Sequence, residues 1–271
     1  MINAQKICNI LVSGIKHYFQ KNNFHKAVIG LSGGIDSAVS CCLAVQALGK
    51  ENVLALLMPE SESTSKESIE DAKKLIEKLG IKYEMIAIND LVQFFKKLNK
   101  KIKIKEDKTA IANVKARARM MLLYYFANLN KALVIGTSDK SEIMLGYTTK
   151  YGDNASDVMP IGDLYKTEVI ELGRFLGIPE PILKKKPSPE LIKGYSAETE
   201  LGAGYEVLDK ILKLHIEENL SAQEIIKKGF EKRIVNNVIE RIRLNEHKRG
   251  SPIIIRASER SFHGMKNADN E

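Results

Sequence analysis

The stretch Gly30-Leu31-Ser32-Gly33-Gly34-Ile35-Asp36-Ser37 decides how this chain folds, because it joins an apolar strand to a helix through a glycine turn. Strand-like residues 27–29 precede it, and helix-like residues 38–48 follow it. Two adjacent glycines let the backbone take positive φ and approach an anion closely. The first turn of the helix offers unpaired N–H groups and the positive end of its dipole. The stretch therefore predicts a phosphate-binding loop.

The polar side chains of this loop indicate which phosphate chemistry it serves. Ser32 and Ser37 supply hydroxyl donors, and Asp36 supplies a carboxylate suited to Mg²⁺. The loop lacks the Gly-Lys-[Ser/Thr] ending of a Walker A motif and the Gly-x-Gly-x-x-Gly order of a dinucleotide fingerprint. Its Ser-Gly-Gly-x-Asp-Ser pattern resembles the loop of the ATP pyrophosphatases, which break ATP between the α- and β-phosphates. Serine-glycine pairs also occur in ordinary turns, but the strand-to-helix context favours the phosphate loop.

Composition narrows the class of protein but does not choose a function. A chain of 271 residues with 44% hydrophobic content can bury a full core. The net charge of +8 suits polyanionic small molecules and nucleic acids alike. Three cysteines without a Cys-x-x-Cys pair favour neither a disulfide framework nor a zinc site. The absence of a long apolar run and of a signal-peptide pattern predicts a cytoplasmic protein with no membrane partner.

Short apolar runs alternate with helix-length amphipathic segments along the chain, a pattern typical of a parallel sheet covered by helices. We therefore expect an α/β fold with a doubly wound, parallel, five-stranded sheet and helices on both faces. Strands are predicted at residues 27–31, 52–58, 82–88 and 132–136, with a weaker fifth at 157–161. Residues 1–271 are predicted to form a single domain with a helical C-terminal extension, about 204–250, and a flexible tail.

The predicted helices are marked by capping residues and by glycines. Thr64-Ser65-Lys66-Glu67 is a capping box, and Gly80 ends the helix that follows it. Seven lysines at residues 96–108 predict a solvated mobile loop, with a phosphate-attracting lid as the alternative. The remaining helices are predicted at residues 110–130, 166–177, 204–219, 221–228 and 231–247.

Polar motifs follow the fourth predicted strand, where ligands bind in open α/β sheets. They include Gly136-Thr137-Ser-Asp-Lys-Ser-Glu142, Gly146-Tyr147-Thr-Thr-Lys150-Tyr151-Gly152-Asp153, Leu164-Tyr-Lys166 and Pro187-Ser188. In this order behind the phosphate loop, and with Asn113-Val-Lys-Ala-Arg117 before them, they resemble the ammonia-dependent NAD synthetases over roughly residues 28–250. That family converts deamido-NAD, ATP and ammonia into NAD, AMP and pyrophosphate through an acyl-adenylate. The resemblance implies the Rossmann-like fold of the adenine nucleotide alpha hydrolases.

The resemblance also implies a role for each matching position. ATP, the co-substrate, would contact Gly30, Leu31, Ser32, Gly33, Gly34, Ile35, Asp36, Ser37, Thr137, Lys166 and Ser188. Deamido-NAD would contact Arg117, Lys150, Asp157, His247 and Lys248, with Asn113, Tyr124, Tyr147 and Asp153 as further members of its pocket. Asp36 and Glu142 would hold Mg²⁺. Asp36 and Lys166 would be catalytic, and Asp157 would reach across the interface of a homodimer.

Several of these residues also have plain structural interpretations. Tyr124 lies at a helical core spacing, and His247 suits the C-terminal end of a helix. Glu142 taken alone resembles a surface salt-bridge partner. Ala197 stands in the run Tyr195–Gly202 where the family commonly has an acidic residue, so a role for that run in binding ammonium or substrate is in doubt.

Two other functions fit parts of the sequence. Another ATP-pyrophosphatase-type enzyme would adenylate a nucleotide or a tRNA base with the same loop. A nucleic-acid-binding module would use residues 221–249, which resemble a helix, a turn and a basic helix. An apolar stripe of Ile234, Val238 and Ile242 explains that last helix without DNA, so we predict no nucleic-acid partner. The chain has no room for a glutamine-hydrolysing domain, so we expect ammonia itself as a substrate.

Overall fold

A four-stranded parallel sheet organises the computed structural model, which describes residues 2–105, 107–186, 191 and 197–255. The strands are β1 (Lys26–Gly30), β2 (Val53–Leu57), β3 (Lys82–Met85) and β4 (Ala132–Ile135). Their spatial order is β3-β2-β1-β4, and Ile29 pairs with Ala55 on one side and with Ile135 on the other. The strand order therefore reverses between β1 and β4, which is where a doubly wound sheet opens a crevice for ligands.

Helices cover both faces of this sheet. They are α1 (Ala4–Lys21), α2 (Ile35–Leu48), α3 (Lys66–Leu79), α4 (Asn89–Lys101), α5 (Lys108–Asn130), α6 (Lys140–Leu145), α7 (Lys166–Phe175), α8 (Glu180–Lys184), α9 (Ala197–Leu201), α10 (Tyr205–Ile216), α11 (Ala222–Lys227) and α12 (Lys232–Leu244). Ile29 packs among residues of α1, α2 and α7, whereas its neighbour Val28 packs among residues of α4 and α5. Successive residues of a strand point to opposite faces, so both faces are buried. The predicted doubly wound α/β class is confirmed.

A separate apolar cluster joins the C-terminal helices. Leu145 of α6 packs with Leu208 of α10, Ile225 of α11 and Val238 of α12. The predicted helices after residue 204 are thus present, although each is shorter than its predicted range. The apolar side of α12 faces this cluster, because Val235 and Val238 are fully buried.

The prediction of a fifth strand at residues 157–161 was wrong. Within the described residues, the 157–161 run makes a single parallel bridge, between Val158 and Ile135, and then turns away. The turn is closed by the Gly162 N–H, which donates to the Met159 carbonyl at 3.3 Å. Pro160 has no N–H to donate to a ladder, so an apolar composition there does not extend the sheet.

The lysine-rich segment also differs from its prediction as a loop. Residues 96–101 belong to α4, and the loop is confined to the residues between α4 and α5. Val92 on α4 is fully buried, Lys97, Lys100 and Lys101 are exposed, and Lys96 pairs with Glu62 at 2.7 Å. None of the described helices is both long enough and apolar enough to cross a membrane.

A buried ion pair lies beside the crevice. Lys115 on α5 donates to the Glu60 carboxylate at 2.7 Å, and the two side chains are 5% and 1% exposed. The same ammonium donates to the Leu191 carbonyl at 3.0 Å. Burial acts to raise the pKa of Glu60, but hydrogen bonds from Lys115 and Ser63 and the charge of Lys115 outweigh it and hold that pKa below its usual value.

We expect Lys115→Met to lower the free energy of unfolding at pH 7 by about 3–5 kcal/mol, because it leaves Glu60 charged, buried and unpaired. With a folded-state pKa below its unfolded value, Glu60 stabilises the wild type above the unfolded pKa, and this stabilisation is lost as pH falls through the folded pKa. The deficit of the variant should therefore shrink as the pH falls below the unfolded pKa of Glu60, which urea titrations at a series of pH values would measure.

Lys73→Met is the matched control, because it removes a lysine from the exposed pair Lys73–Glu70, whose atoms are 3.5 Å apart. Its cost should stay within about 1 kcal/mol and change little with pH. Equal costs for the two lysine variants at pH 7 would contradict the role given to the buried pair.

Candidate active site

The loop after β1 closes on itself through hydroxyl groups. The Ser32 N–H donates to Ser37 Oγ at 3.2 Å, and the two hydroxyl oxygens are 3.0 Å apart. The Gly34 N–H donates to Ser32 Oγ at 3.2 Å, and the Ser37 hydroxyl donates to the Gly34 carbonyl at 3.0 Å. Helix α2 begins at Ile35 without a side-chain cap, and its first residues line the crevice, an arrangement that suits a phosphate.

Glycine is required at position 33 by the backbone conformation and by a close contact with α3. The φ of Gly33 is +78°, and a Cβ built on it would overlap the carbonyl oxygen of Ser68 in α3. A side chain there would strain the backbone and push α3 away. The close approach of this loop to α3 therefore depends on glycine.

Lys166 joins three carboxylates at the floor of the crevice. Its ammonium lies 2.7 Å from Asp36 Oδ2, 2.9 Å from Asp139 Oδ2 and 2.9 Å from Glu142 Oε1. Asp36 comes from the phosphate loop, Asp139 and Glu142 come from the start of α6, and Lys166 is the first residue of α7. The structure thus brings Asp36, Glu142 and Lys166 together as the motifs predict.

The pKa shifts in this cluster follow from burial and charge. Burial raises the pKa of Asp139 to about 6, although the neighbouring Lys166 charge opposes that rise. Burial also raises the pKa of Glu142 well above its usual value. Burial alone would lower the pKa of Lys166, but Asp139, Asp36 and Glu142 outweigh it and hold that pKa well above its usual value. Lys166 is therefore a permanent cation facing an excess of negative charge.

The cluster fits a divalent cation. One carboxylate oxygen from each of Asp36, Asp139 and Glu142 lies within 4.8 Å of the others. Asp36 Oδ1 is buried and has no hydrogen-bond partner among the described residues. Asp36 and Glu142 are 21% and 19% exposed, whereas Asp139 is fully buried and its Oδ1 accepts the Glu142 N–H at 2.8 Å. Hard carboxylate oxygens of this kind suit Mg²⁺, and Asp36 and Glu142 have the open positions.

A cavity of about 300 Å³ lies above the cluster, between the ends of β1 and β4. Of the positions matched to ATP, it is lined by Gly30, Leu31, Ser32, Gly34, Ile35, Asp36, Ser37 and Thr137. Lys166 does not line the cavity itself, but it pairs with Asp36 and Glu142, which do. Ser188 lies outside the described residues, as do Tyr195 and Ser196 of the run that departs from the family pattern.

A second group of matched residues surrounds the segment after α6. Arg117 donates to the Lys150 carbonyl at 3.2 Å, and the Lys150 ammonium donates to the His247 carbonyl at 2.6 Å. Lys248 donates to the carbonyls of Gly146 at 2.7 Å and Thr148 at 3.0 Å. This network holds the C-terminal turn at residues 246–248 against residues 146–150.

Thr149 brings two further matched residues into the same group. Its hydroxyl donates to Asn113 Oδ1 at 2.8 Å, and its N–H donates to Asp153 Oδ1 at 2.7 Å. The matched residues Asn113, Arg117, Lys150, Asp153, His247 and Lys248 are therefore neighbours, as a shared ligand requires.

Tyr124 and Asp157 form a pair apart from that group. The Tyr124 hydroxyl donates to Asp157 Oδ1 at 3.5 Å, and Asp157 Oδ2 accepts the Val134 N–H at 2.7 Å. Burial, reinforced by the Asp157 charge, raises the pKa of Tyr124 to about 12. Tyr147 instead lines the cavity, and its buried hydroxyl has no hydrogen-bond partner among the described residues.

Sequence reasoning missed some residues of this site. Asp139 lies inside a quoted motif, and its position three residues before Glu142 marks it as a helix cap. Lys185 lines the cavity, and its ammonium donates to the Gly33 carbonyl at 3.1 Å and to Asp71 Oδ2 at 2.6 Å. Only the folded chain brings Lys185 to the loop, because the loop lies 152 positions earlier.

Comparison with known proteins identifies the family. The sequence profile of the NAD synthase family matches residues 7–252. The chain belongs to the NAD synthase family. A curated NH₃-dependent NAD⁺ synthetase from Methanosarcina acetivorans is 46% identical over 252 residues, which are 93% of this chain and 98% of that protein.

Solved structures of the NAD synthase family and its neighbours share this fold. The NH₃-dependent NAD synthetase from Campylobacter jejuni, solved in complex with the nitrate ion, is 34% identical with a TM-score of 0.79. It covers 94% of this chain and 100% of its own. The NMN synthetase from Francisella tularensis is 30% identical with a TM-score of 0.82 and covers 94% of this chain and 99% of its own. NAD synthases are ligases that form a C–N bond and use ATP, which sets aside a DNA-binding module as the main function.

We expect Gly33→Ala to weaken ATP binding about tenfold or more, because the new Cβ would displace the loop from α3. Calorimetric titration with ATP measures this effect. Gly49→Ala is the matched control, because Gly49 has a φ of +86° but open space around its Cβ position. It should cost about 1–2 kcal/mol in stability and leave ATP affinity unchanged. A folded Gly33→Ala protein with wild-type ATP affinity would contradict this account of the loop.

Proposed function

We propose that this protein makes NAD by amidating deamido-NAD with ammonia, at the expense of ATP, releasing AMP and pyrophosphate. The observation that carries the proposal is the Lys166 cluster at the mouth of the phosphate loop, in a chain that matches the NAD synthase family over residues 7–252. Curated relatives with NH₃-dependent activity in their names support ammonia as the nitrogen donor.

The chemistry requires two steps. A nicotinate carboxylate is a poor electrophile, so one of its oxygens first attacks the α-phosphorus of ATP and pyrophosphate leaves. The acyl-adenylate formed in this way then accepts the nitrogen of ammonia at its carbonyl carbon, AMP leaves with the bonding electrons, and the nitrogen loses a proton. Negative charge builds up on the phosphate oxygens in the first step, so neutralising that charge is the main catalytic task.

Different residues of the crevice would neutralise different parts of this charge. The N–H groups at the start of α2 and the hydroxyls of Ser32 and Ser37 would bind phosphate oxygens. Thr137, at the end of β4, would donate to phosphate or ribose. Lys166 is held cationic among carboxylates, so its ammonium would stabilise the charge on the transferring phosphate.

Asp36 and Glu142 would hold Mg²⁺ in this proposal. Their carboxylates have the open positions in the cluster, and Asp36 Oδ1 lacks a partner among the described residues. When bound, the cation would neutralise phosphate charge and act as a Lewis acid.

Deamido-NAD would bind beside the segment after α6. The neighbouring basic groups of Arg117, Lys150 and Lys248 would face its pyrophosphate, with Asn113, Asp153 and His247 in the same group. Tyr147 lines the cavity and would offer a flat face to a ring. The similarity to the Francisella tularensis NMN synthetase makes deamido-NMN a second candidate substrate.

We also propose a homodimer. Met121, Tyr125 and Leu129 are 50%, 58% and 62% exposed and recur every four residues on α5, so they form an apolar stripe on one face. The stripe runs beside Tyr124, the partner of Asp157, which the family resemblance places at an interface. A symmetric dimer would cover the stripe of each subunit with that of the other. The cytoplasmic location and the single-domain organisation stay predictions.

The proposed reaction is tested with purified protein, MgATP, ammonium and either deamido-NAD or deamido-NMN. We expect AMP, pyrophosphate and amide product in equal amounts, with deamido-NAD preferred, and no amide product without ammonium. Formation of ADP and orthophosphate would contradict adenylation. Preference for deamido-NMN would replace the proposed substrate with the second candidate.

In the same assay, Asp36→Ala should lose about 100-fold or more in kcat, since a carboxylate held against the phosphates contributes several kcal/mol. Asp163→Ala is the control, because it removes a carboxylate that is 94% exposed. It should keep turnover within about twofold of the wild type. Near-normal turnover of a folded Asp36→Ala protein would remove the metal role.

Sedimentation tests the dimer. The wild type should sediment at twice the 30.3 kDa chain mass, and Tyr125→Glu should sediment as a monomer, because it puts a charge at the centre of the stripe. In the wild-type background, Asp157→Asn should raise the KM for deamido-NAD more than the KM for ATP. Leu244→Glu is the control for Tyr125→Glu and should sediment as the wild type does, since Leu244 is 56% exposed on α12 and is not part of the stripe on α5. A fully active monomeric wild type would exclude a shared site.

A further inference from the structure

Asp209 is a buried carboxylate of α10 that the proposed reaction does not use. It is 2% exposed, and both of its oxygens accept hydrogen bonds. Oδ1 accepts the Ser141 hydroxyl at 2.6 Å, and Oδ2 accepts the Thr167 N–H at 2.9 Å. Ser141 Oγ in turn accepts the Lys166 N–H at 3.0 Å. A chain of three hydrogen bonds therefore runs from α10 to the first two residues of α7.

These bonds satisfy N–H groups that a helix leaves unpaired. The first N–H groups of an α-helix have no acceptor within their own helix. In α7, Asp209 accepts the Thr167 N–H directly and reaches the Lys166 N–H through Ser141. A carboxylate at this end of a helix is also favoured by the helix dipole. Asp209 thus helps to cap α7, together with Glu168, whose carboxylate accepts the Tyr165 N–H at 3.0 Å.

The same contact holds α6. Ser141 immediately precedes Glu142, so its bond to Asp209 ties the backbone of α6 to α10 at the residue next to that carboxylate. Tyr205 lies one turn before Asp209 on α10, and its ring centroid is 5.2 Å from the Lys166 ammonium. Helix α10 therefore acts on Lys166 in two ways, on its backbone N–H indirectly through Asp209 and Ser141, and on its ammonium directly through Tyr205.

A carboxylate in this place has an energetic cost. Burial raises the pKa of Asp209, while hydrogen bonds from Ser141 and Thr167 oppose the rise. Another polar contact already joins the two helices, because Lys213 of α10 donates to Glu168 of α7 at 2.6 Å. That contact is near the surface and involves neither Lys166 nor Ser141. Holding the helices together does not by itself account for a buried charge at Asp209.

We propose that Asp209 is a positioning residue, which holds the backbones of Lys166 and Ser141 so that the Lys166 ammonium and the Glu142 carboxylate meet at the reacting phosphate. This inference rests on the proposed function, in which Lys166 acts on the transferring phosphate of ATP. Displacement of a reacting group by about 1 Å costs about 100-fold in rate, so a loosened α7 start should appear in kcat.

Asp209→Asn tests the proposal because it keeps the side-chain shape. One amide oxygen replaces two acceptors, so either the Ser141 hydroxyl or the Thr167 N–H loses its partner. We expect kcat to fall about tenfold or more per ATP-binding site counted by calorimetry, with the KM values for ATP and deamido-NAD within about twofold of the wild type. Lys213→Met is the matched control and should keep kcat within about twofold.

Ser141→Ala tests the same chain of bonds at a second place and serves where Asp209→Asn does not fold. It should lower kcat in the same way. The double variant should lose less than the two single variants combined, because Asp209 and Ser141 share the hydrogen bond between them. Additive losses in kcat, or a kcat for Asp209→Asn equal to that of Lys213→Met, would overturn the proposal.

Hydrogen exchange gives a readout that does not depend on turnover. The amide hydrogens of Lys166 and Thr167 should exchange about tenfold faster or more in Asp209→Asn and at the wild-type rate in Lys213→Met. Unchanged exchange in Asp209→Asn would overturn the positioning role. A wild type that makes no amide product would overturn the proposed function instead, and the exchange rates would still decide the role of Asp209 as an anchor.

Discussion

The site depends on one interaction, the contact of a fully buried ammonium with three carboxylates. Lys166 is 0% exposed and has Asp36, Asp139 and Glu142 within 2.9 Å. A buried cation is tolerated only where its partners are held in place, and these partners come from two separate segments, the phosphate loop and the start of α6. The adjacency of β1 and β4 in the sheet is what brings the segments together, since the phosphate loop follows β1 and α6 follows β4. The strand order is therefore a requirement of the charge cluster as well as of the core.

The parts of the fold that could be predicted are those with a local cause. Glycines between a strand and a helix predict the loop at residues 30–37, and alternating apolar runs predict the four strands. The fifth strand was wrong because hydrophobicity does not show whether a backbone can pair, and Pro160 cannot donate. The prediction of a loop at residues 96–101 was wrong, because a run of lysines is typical of solvated loops but also occurs on the exposed side of an amphipathic helix.

The candidate site likewise contains residues that the sequence could predict and one that it could not. Asp36, Glu142 and Lys166 lie in motifs that resemble a family, so their proximity was predictable, although their roles stay predictions. Asp209 carries no such signal, because its partner Ser141 is 68 positions away and no period links the two. An aspartate on a mostly apolar helix is usually a solvent-facing residue, and only the packing of α10 on α6 and α7 buries it.

With the positioning role proposed for Asp209, the C-terminal helices take part in the chemistry rather than form an appendage. Apolar contacts such as Leu145 with Leu208 bury surface but are not directional, so they permit small shifts of α10 along its neighbours. Hydrogen bonds to a buried carboxylate are directional, and losing one leaves a buried polar group unsatisfied. Asp209 therefore gives α6, α7 and α10 one relative position where apolar packing alone would permit several. The Lys166 ammonium needs that single position, because its carboxylate partners come from the phosphate loop and from α6, whereas its own backbone belongs to α7.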